Sequence, residues 1–202
     1  FGLGFSGTTL ADKLLADGWQ VFGTARTAEK VERLEAQGIQ AFVFNDETAL
    51  SAAGKQAMLS CPYILNSVPT SDQCDAVLRL HSADLKSHAG LEWFGYLSTT
   101  VVYGNWDGAW VDENSEAKAD SKRGARRLEA EQAWAQLGLP LHVFRLAGIY
   151  GPGRNALTSM MKGKARIIDK PGQVFSRIHV EDIAGVLAAS LHNPTAGPGQ
   201  TD

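Results

Sequence analysis

"GLGFSG", residues 2–7, stands directly before "TTLADKLLADG", residues 8–18, and this juxtaposition decides the fold. Gly2, Gly4 and Gly7 fit the G-x-G-x-x-G spacing of a dinucleotide-binding turn. The first glycine permits a tight turn, the second lets backbone approach a pyrophosphate, and the third lets helix and strand pack closely. Phe5 and Ser6 then fall at the start of the helix, whose exposed N–H groups and dipole favour an anion. Leu10, Leu14 and Leu15 recur at helical spacing, and Gly18 closes the segment. Such a turn follows a strand, which typically takes about 5–6 residues. Only Phe1 precedes the loop here, so a first strand is expected N-terminal of it. The other end, "NPTAGPGQTD", stops in turn-rich sequence, and further chain is expected there too.

Outward from the loop, β-rich and helical patterns alternate. "WQVFGTA" (19–25), "QAFVFN" (40–45), "PYILNSV" (62–68), "EWFGYLST" (92–99) and "LHVFRLAG" (141–148) read as strands. "TAEKVERLEAQG" (27–38), with Thr27 as N-cap and Gly38 as stop, reads as a helix. So do "SDQCDAVLRLHSADL" (71–85) and "GARRLEAEQAWAQLG" (124–138). This alternation predicts an α/β, doubly wound Rossmann fold: a parallel sheet with helices on both faces. Residues 104–122 are polar and aromatic without period, and predict a long loop over a site. The whole chain, 1–202, reads as a single NAD(P)-binding Rossmann domain, with 151–175 contributing to a small C-terminal substrate-side lobe.

Composition limits the alternatives. The 202 residues are 44% hydrophobic and carry a net charge of −3, with no global bias towards nucleic acid or an anionic membrane. Only two cysteines occur, Cys61 and Cys74; they form neither a disulfide framework nor a metal motif, so a cytoplasmic protein is expected. No apolar run approaches the roughly 20 residues of a membrane span.

After the second strand, "GTARTAEK" (23–30) offers Thr24 or Ala25 where an NAD-preferring fold places an acid for the ribose. Arg26 and Thr27 follow. A guanidinium and hydroxyls suit a 2′-phosphate that a carboxylate would repel, so NADP is favoured, with NAD as the alternative. An ordinary solvent-facing arginine is the other reading of Arg26. Asn45 and Asp46, one strand later, sit where a polar side chain reaches the adenine edge.

"YLSTTVVYG" (96–104), "FRLAGIYGPGR" (144–154) and "FSRIHVEDIA" (175–184) narrow the reading. With the glycine loop, they give a chain that resembles the extended short-chain dehydrogenase/reductases. More narrowly, it resembles an atypical branch of the NAD-dependent epimerase/dehydratase and nucleoside-diphosphate-sugar epimerase group. The resemblance covers essentially the whole chain. It implies that Thr99 hydrogen-bonds the reacting oxygen, that Ser67 and Val68 run beside the cofactor, and that Leu146 and Ala147 pass near the nicotinamide. It further implies that Tyr150, Gly151, Pro152 and Arg154 open the substrate-side segment. His179 and Asp182 anchor that segment on the core, His179 as a structural rather than a catalytic residue.

The same resemblance exposes a departure. The family's long helix carries Y-x-x-x-K near its start, with both side chains on one face. In "KRGARRLEAE" (122–131) those positions hold Arg123 and Arg127. Arg127 can still bind ribose hydroxyls, but arginine does not release its proton and cannot replace the phenol. A solvated helix face is the plainer reading of the cluster.

Two functions remain open. One is an oxidoreductase or epimerase acting on a sugar nucleotide or other small carbonyl or hydroxyl substrate. Its proton would come from Tyr103, Tyr150, Asp112 or Glu113, with Thr99 as orienter and Arg123 or Arg127 supplying positive field. Tyr103 leads because it lies four residues beyond Thr99, although a ring packed under the loop is the alternative. The other is a catalytically silent NADP-binding module or redox sensor that regulates a partner. Trp106 and Trp110 either cover a flat substrate or pack on the core. A homodimer through the long helices fits either function, and nucleic acid and membrane fit neither.

Overall fold

The computed structural model describes residues 1–166, 169, 171–172 and 174–194. Residues 167, 168, 170 and 173 of the expected substrate-side segment, and 195–202 of the C-terminal turn, lie outside the described residues.

The elements run α1 (Phe5–Ala16), β1 (Phe22–Ala25), α2 (Ala28–Glu35), β2 (Gln40–Val43), α3 (Ala52–Ser60), β3 (Tyr63–Asn66) and α4 (Ala76–Lys86). They continue with β4 (Trp93–Thr99), a 3-10 turn (Thr100–Tyr103), α5 (Lys122–Ala135), β5 (Leu141–Leu146), β6 (Gly148–Tyr150), α6 (Ala156–Met161), β7 (Arg177–His179) and α7 (Val180–His192). β1 pairs with β2, β3 with β4, β4 with β5, and β6 with β7, all parallel. Phe1–Leu3 joins the β1–β2 and β3–β5 sets. Leu3 N donates to Thr24 O (3.0 Å) on one side, while Ser67 N donates to Phe1 O (3.0 Å) on the other. The glycine loop therefore leaves the sheet between β1 and β3, at the carboxyl ends where doubly wound sheets bind ligands.

Both faces are covered. α1 and α7 bring Leu10, Leu14, Ile183 and Leu187 onto Trp93, Leu97 and Phe144. On the other face Val77, Leu85 and Trp134 meet Phe94, Tyr96 and Leu141. Near-continuous apolar strands such as β4 are what a sheet buried on both sides requires.

Several details differ from the sequence reading, which also assigns no helix or strand to the segments of α6, β7 and α7. The helix expected from Ser71 begins only at Ala76, capped by the Asp75 carboxylate, which accepts Val77 N (2.8 Å) and Leu78 N (3.2 Å). Residues 71–74 form a turn instead, closed by Cys74 in the left-handed region at φ 72°. α3 was not read at all. Its Gly54 lowers helix propensity, yet a β-carbon there would meet Leu50 and Phe42 at 3.1 Å. Close packing on β2 overrides the local preference. No described helix is long and apolar enough to cross a membrane.

Candidate functional site

The three glycines have three different surroundings. Gly2 adopts φ +78°, and a β-carbon there would lie 3.0 Å from Val68 Cγ2 and 3.2 Å from Val68 N. It must be glycine for the turn itself. Gly4 is different: its backbone is extended (φ −90°, ψ −156°), and an added β-carbon meets only Gly2 O, at 3.8 Å. The protein leaves that direction open, as a loop that admits a pyrophosphate must. At Gly7 the β-carbon would press on Gly2 O (3.2 Å) and Leu3 (3.4 Å), the helix-to-strand contact. Gly4 caps α1 without any side-chain hydrogen bond, so the first-turn amides around Phe5 and Ser6 have no side-chain cap.

Beside this loop lies a cleft of about 390 Å³. It gathers Gly2, Gly4, Thr24, Ala25, Arg26, Thr27, Asn45, Asp46, Ser67 and Val68 from four segments distant in sequence. Thr24 is largely occupied as a brace, because its hydroxyl accepts the Gly2 N–H at 2.8 Å. Ser67 donates to Gly2 O at 2.7 Å and locks the loop from the other side. Asn45 Oδ1 accepts from Glu47 N and Thr48 N, both at 2.9 Å, which turns the chain at the rim. Two further cations line the cleft that the sequence reading missed: Lys30 and Arg33. Their signal was legible, since Lys30 and Arg33 are spaced i, i+3 on one face of α2, just beyond Arg26. Glu29 stands at the same helix start, and its own N–H and the Thr27 hydroxyl hold its carboxyl below the usual range.

Of the arginines of α5, Arg127 turns inward, as a solvated face would not. Arg126 pairs with Asp72, in the turn beyond Val68. Arg127 Nη1 donates to Tyr96 Oη (2.9 Å) and Leu97 O (3.1 Å), with a longer approach to Val68 O (3.5 Å). Burial pushes the Tyr96 phenol well above its ordinary range, and the Arg127 charge only partly offsets this. Arg123, at the position of the family tyrosine, is exposed.

Around the carboxyl end of β4, Thr99 pairs in register with Leu146, which Ala147 follows. Thr99 Oγ1 accepts Val101 N at 3.3 Å and starts the 3-10 turn that ends at Tyr103. Tyr103 is buried, and with Thr100 and residues 104–109 it lines a cavity of about 470 Å³. The cation beside it is neither Arg123 nor Arg127, a correction to the expected source of positive field. Arg145 of β5 donates from Nη1 to Tyr103 Oη (3.2 Å) and from Nη2 to Glu131 Oε2 (2.8 Å). Glu131 also accepts the Ser98 hydroxyl. Burial pulls the Arg145 guanidinium down, but Glu131 and Tyr103 together outweigh it and raise the net value.

The remaining expected residues are dispersed. Trp106 donates from its indole to Tyr103 O (2.9 Å), whereas Trp110 is 98% exposed. Asp112 closes a surface turn with Asn114 N and the Ser115 hydroxyl, whose hydrogen bond holds its carboxyl low; Glu113 is exposed beside it. Tyr150 is half-exposed and packs edge-on against His179 at 5.0 Å. His179 caps α7 by accepting Glu181 N (3.4 Å), with Asp182 in the first turn. Arg154 lies over the Phe5 ring at 5.6 Å, and a β-carbon on Gly151 would meet Val180 (2.8 Å) and Phe5 (3.1 Å). The 151–154 segment is thus packed onto the first turn of α1.

Known proteins agree with this architecture. The family model for the NAD binding domain of 6-phosphogluconate dehydrogenase matches residues 1–178. Protein YeeZ of Escherichia coli K12 is 28% identical over 207 residues, covering 97% of this chain and 73% of YeeZ. A conserved, functionally unknown protein from Silicibacter pomeroyi superposes with a TM-score of 0.87 at 44% identity, over 100% of this chain and 69% of that one. The UDP-glucuronic acid 4-epimerase of Bacillus cereus, solved with NAD, shares the fold at a TM-score of 0.75 and 19% identity, over 98% and 73% of the two chains. A braced glycine loop, an open cleft at the sheet's carboxyl edge and the match over residues 1–178 lead to one assignment: the chain belongs to the NAD-binding domain family of 6-phosphogluconate dehydrogenase, an NAD(P)-binding Rossmann domain whose structural neighbours are NAD-dependent epimerases and dehydratases.

Proposed function

We propose that this protein is an NADP(H)-dependent oxidoreductase or epimerase of the extended short-chain type. It acts on a sugar nucleotide or other small carbonyl or hydroxyl substrate and works without the Tyr-x-x-x-Lys pair. The observation that carries the cofactor half is the cleft, which Arg26, Lys30 and Arg33 line and in which Thr24 and Ala25, not an acid, hold the place where an NAD enzyme binds its ribose. Gly4 and the first turn of α1 would face the pyrophosphate, and Asn45 with Asp46 the adenine side. When bound, the nicotinamide supplies or accepts a hydride. Thr99 orients the reacting oxygen through its hydroxyl, and Arg127 supplies positive charge near the ribose. Tyr103 gives up or takes the proton. With two free cysteines, the protein suits a reducing cytoplasm.

A silent cofactor-binding module is the second reading, and the anchoring of Arg127 on Tyr96 and Leu97 favours it. NADPH consumption against a panel of carbonyl compounds and sugar nucleotides, wild type beside Tyr103→Phe, separates the two. Turnover that falls about 10²–10⁴-fold in the variant supports the enzyme. Undiminished turnover removes Tyr103 from the mechanism, and NADPH binding without any turnover leaves the silent module.

A further inference from the structure

Glu131 and Arg145 form a charged pair inside the domain, with side chains only 6% and 14% exposed. Removing two charges from water costs several kcal/mol per ion before their attraction is counted, so such a pair is weak evidence of stabilisation alone. Its geometry is directed. Arg145 Nε reaches both Glu131 oxygens (3.3 and 3.2 Å), and Nη2 reaches Oε2 at 2.8 Å. Two of the three guanidinium nitrogens are thereby fixed on one carboxylate, and the third, Nη1, points at Tyr103 Oη. The guanidinium carbon also lies 5.0 Å over the tyrosine ring, a second contact between the two side chains. Ser98, next to Thr99 on β4, steadies Glu131 from the opposite side.

Arginine has five donors and no acceptor. A phenol oxygen facing it must accept, and its own proton must then be directed to some other group. We propose that Arg145, held by Glu131, is a positioning residue that fixes the polarity of the Tyr103 hydroxyl so that the phenol donates towards the ligand oxygen. This rests on the reading of Tyr103 as the proton donor. In the step it serves, the phenol O–H breaks as an O–H forms on the substrate oxygen, and the phenolate stays on Arg145 until water returns a proton. The pair is neutral overall, so it orients the hydroxyl without leaving a bare cation in the core. Sequence comparison with the tyrosine–lysine helix could not reveal this arrangement, because Arg145 belongs to a strand that otherwise reads as apolar core.

Two measurements test the proposal separately from the reading beneath it. The first needs no substrate. In ultraviolet resonance Raman spectra of the full chain, the tyrosine Fermi doublet distinguishes a phenol that accepts a hydrogen bond from one that only donates, and the difference against Tyr103→Phe isolates this residue. An accepting Tyr103 is expected in wild type and Arg145→Lys, and a loss of that signature in Arg145→Gln. Should Arg145→Gln not fold, the neutral pair Glu131→Gln with Arg145→Gln replaces it, since it leaves no unpaired charge. A wild-type Tyr103 that does not accept, or a signature unchanged by both replacements, overturns the proposal whether or not the protein is an enzyme.

The second measurement uses whichever panel substrate is turned over. Loss of Arg145 should lower kcat at least tenfold without changing KM for NADPH, and the loss should vanish in a Tyr103→Phe background. Residues acting as a unit are non-additive in this way. Additive losses would mean that the pair serves only the fold, and would overturn the positioning role. An accepting Tyr103 in a chain that turns over nothing overturns the enzymatic reading, and the proton-delivery role with it.

Discussion

Arg127 and Tyr96 are joined through one nitrogen: Nη1 of the arginine donates to the tyrosine hydroxyl at 2.9 Å, and the guanidinium carbon lies 5.4 Å over the ring. Tyr96 is fully buried in the centre of β4. Replacing the arginine removes its hydrogen bonds to the buried phenol and to the Leu97 carbonyl together. A hydrogen bond to a charged group is worth about 1.5–3 kcal/mol. Arg127→Met should therefore melt at least about 3 °C lower, since 1 kcal/mol shifts a domain of this size by about 2–4 °C. The double variant with Tyr96→Phe should regain part of that loss, because the buried hydroxyl is then gone. Calorimetry of the three proteins decides; equal melting of wild type and Arg127→Met would show that this nitrogen has no structural role.

A second ion pair gives a pH dependence. Asp84 accepts from His81 Nδ1 (3.0 Å) and pairs with Lys55 (2.5 Å), and these partners, Lys55 first, hold its carboxyl below the usual range. His81 Nε2 accepts Leu50 N at 3.1 Å, so its ring proton is on Nδ1 and the link ties α4 to the chain entering α3. A carboxyl whose folded value is depressed contributes stability above its unfolded pKa, near 3.9, and loses it as pH falls through the folded value. Asp84→Asn should thus be less stable than wild type at pH 7, by only about 0.2–1 kcal/mol because Lys55 is half-exposed. The gap should close on acidification below about pH 4. Urea melts at pH 7 and pH 3 measure it, and a gap that widens in acid contradicts the assignment.

The glycine loop, the alternating strands and the place of Arg26 on the cleft were all readable, because each rests on local spacing or a turn requirement. Legibility failed where tertiary contact overrides local signal. Gly54 sits inside α3 because β2 approaches too closely for a side chain. Asp75 and Cys74 divide what reads as one helix into turn and cap. Arg145 and Glu131 were missed for a different reason: each looks ordinary alone, and only the sheet register and the third turn of α5 bring them together. The cationic cluster at 122–127 was legible as an anomaly, but its attachment to Asp72, Tyr96 and Leu97 was not, since those partners lie 30 or more residues away.

Gly2 and Gly4 should respond oppositely to valine. At Gly4 the φ is negative and an added β-carbon meets only Gly2 O, at 3.8 Å, so Gly4→Val should fold, at a cost of about 1 kcal/mol for the poorer N-cap. It should nevertheless lose at least about tenfold in NADPH affinity, since its side chain projects where the pyrophosphate must approach. Gly2→Val forces a β-branched residue to φ +78° and against Val68, a strain of about 1–3 kcal/mol. Thermal melts paired with fluorescence titration of NADPH separate the cases. Normal binding by a folded Gly4→Val would put the phosphate site elsewhere.

The preference for NADP(H) rests on a cleft wall rather than on one residue. Arg26, Lys30 and Arg33 line it, while Asp46 on the same cleft carries the opposite charge. Arg33 also donates from Nε to Glu29 O at 3.2 Å, which steadies its stem along α2. A 2′-phosphate brought to these cations gains charge-assisted hydrogen bonds worth about 1.5–3 kcal/mol for the best placed one. Arg26→Ala should accordingly weaken NADPH about tenfold or more and leave NADH nearly unchanged. Lys30→Ala and Arg33→Ala should each cost less, because they lie further along α2 from the carboxyl end of β1 than Arg26 does. Salt supplies the control: surface charge pairs are screened as the Debye length shrinks from about 10 Å at 0.1 M to about 3 Å at 1 M. The NADPH advantage of the wild type should therefore narrow with added salt, and that of the Arg26→Ala, Lys30→Ala, Arg33→Ala triple variant should already be lost at low salt. Equal wild-type affinities for NADPH and NADH at low salt would return these three residues to the role of an ordinary solvated helix face.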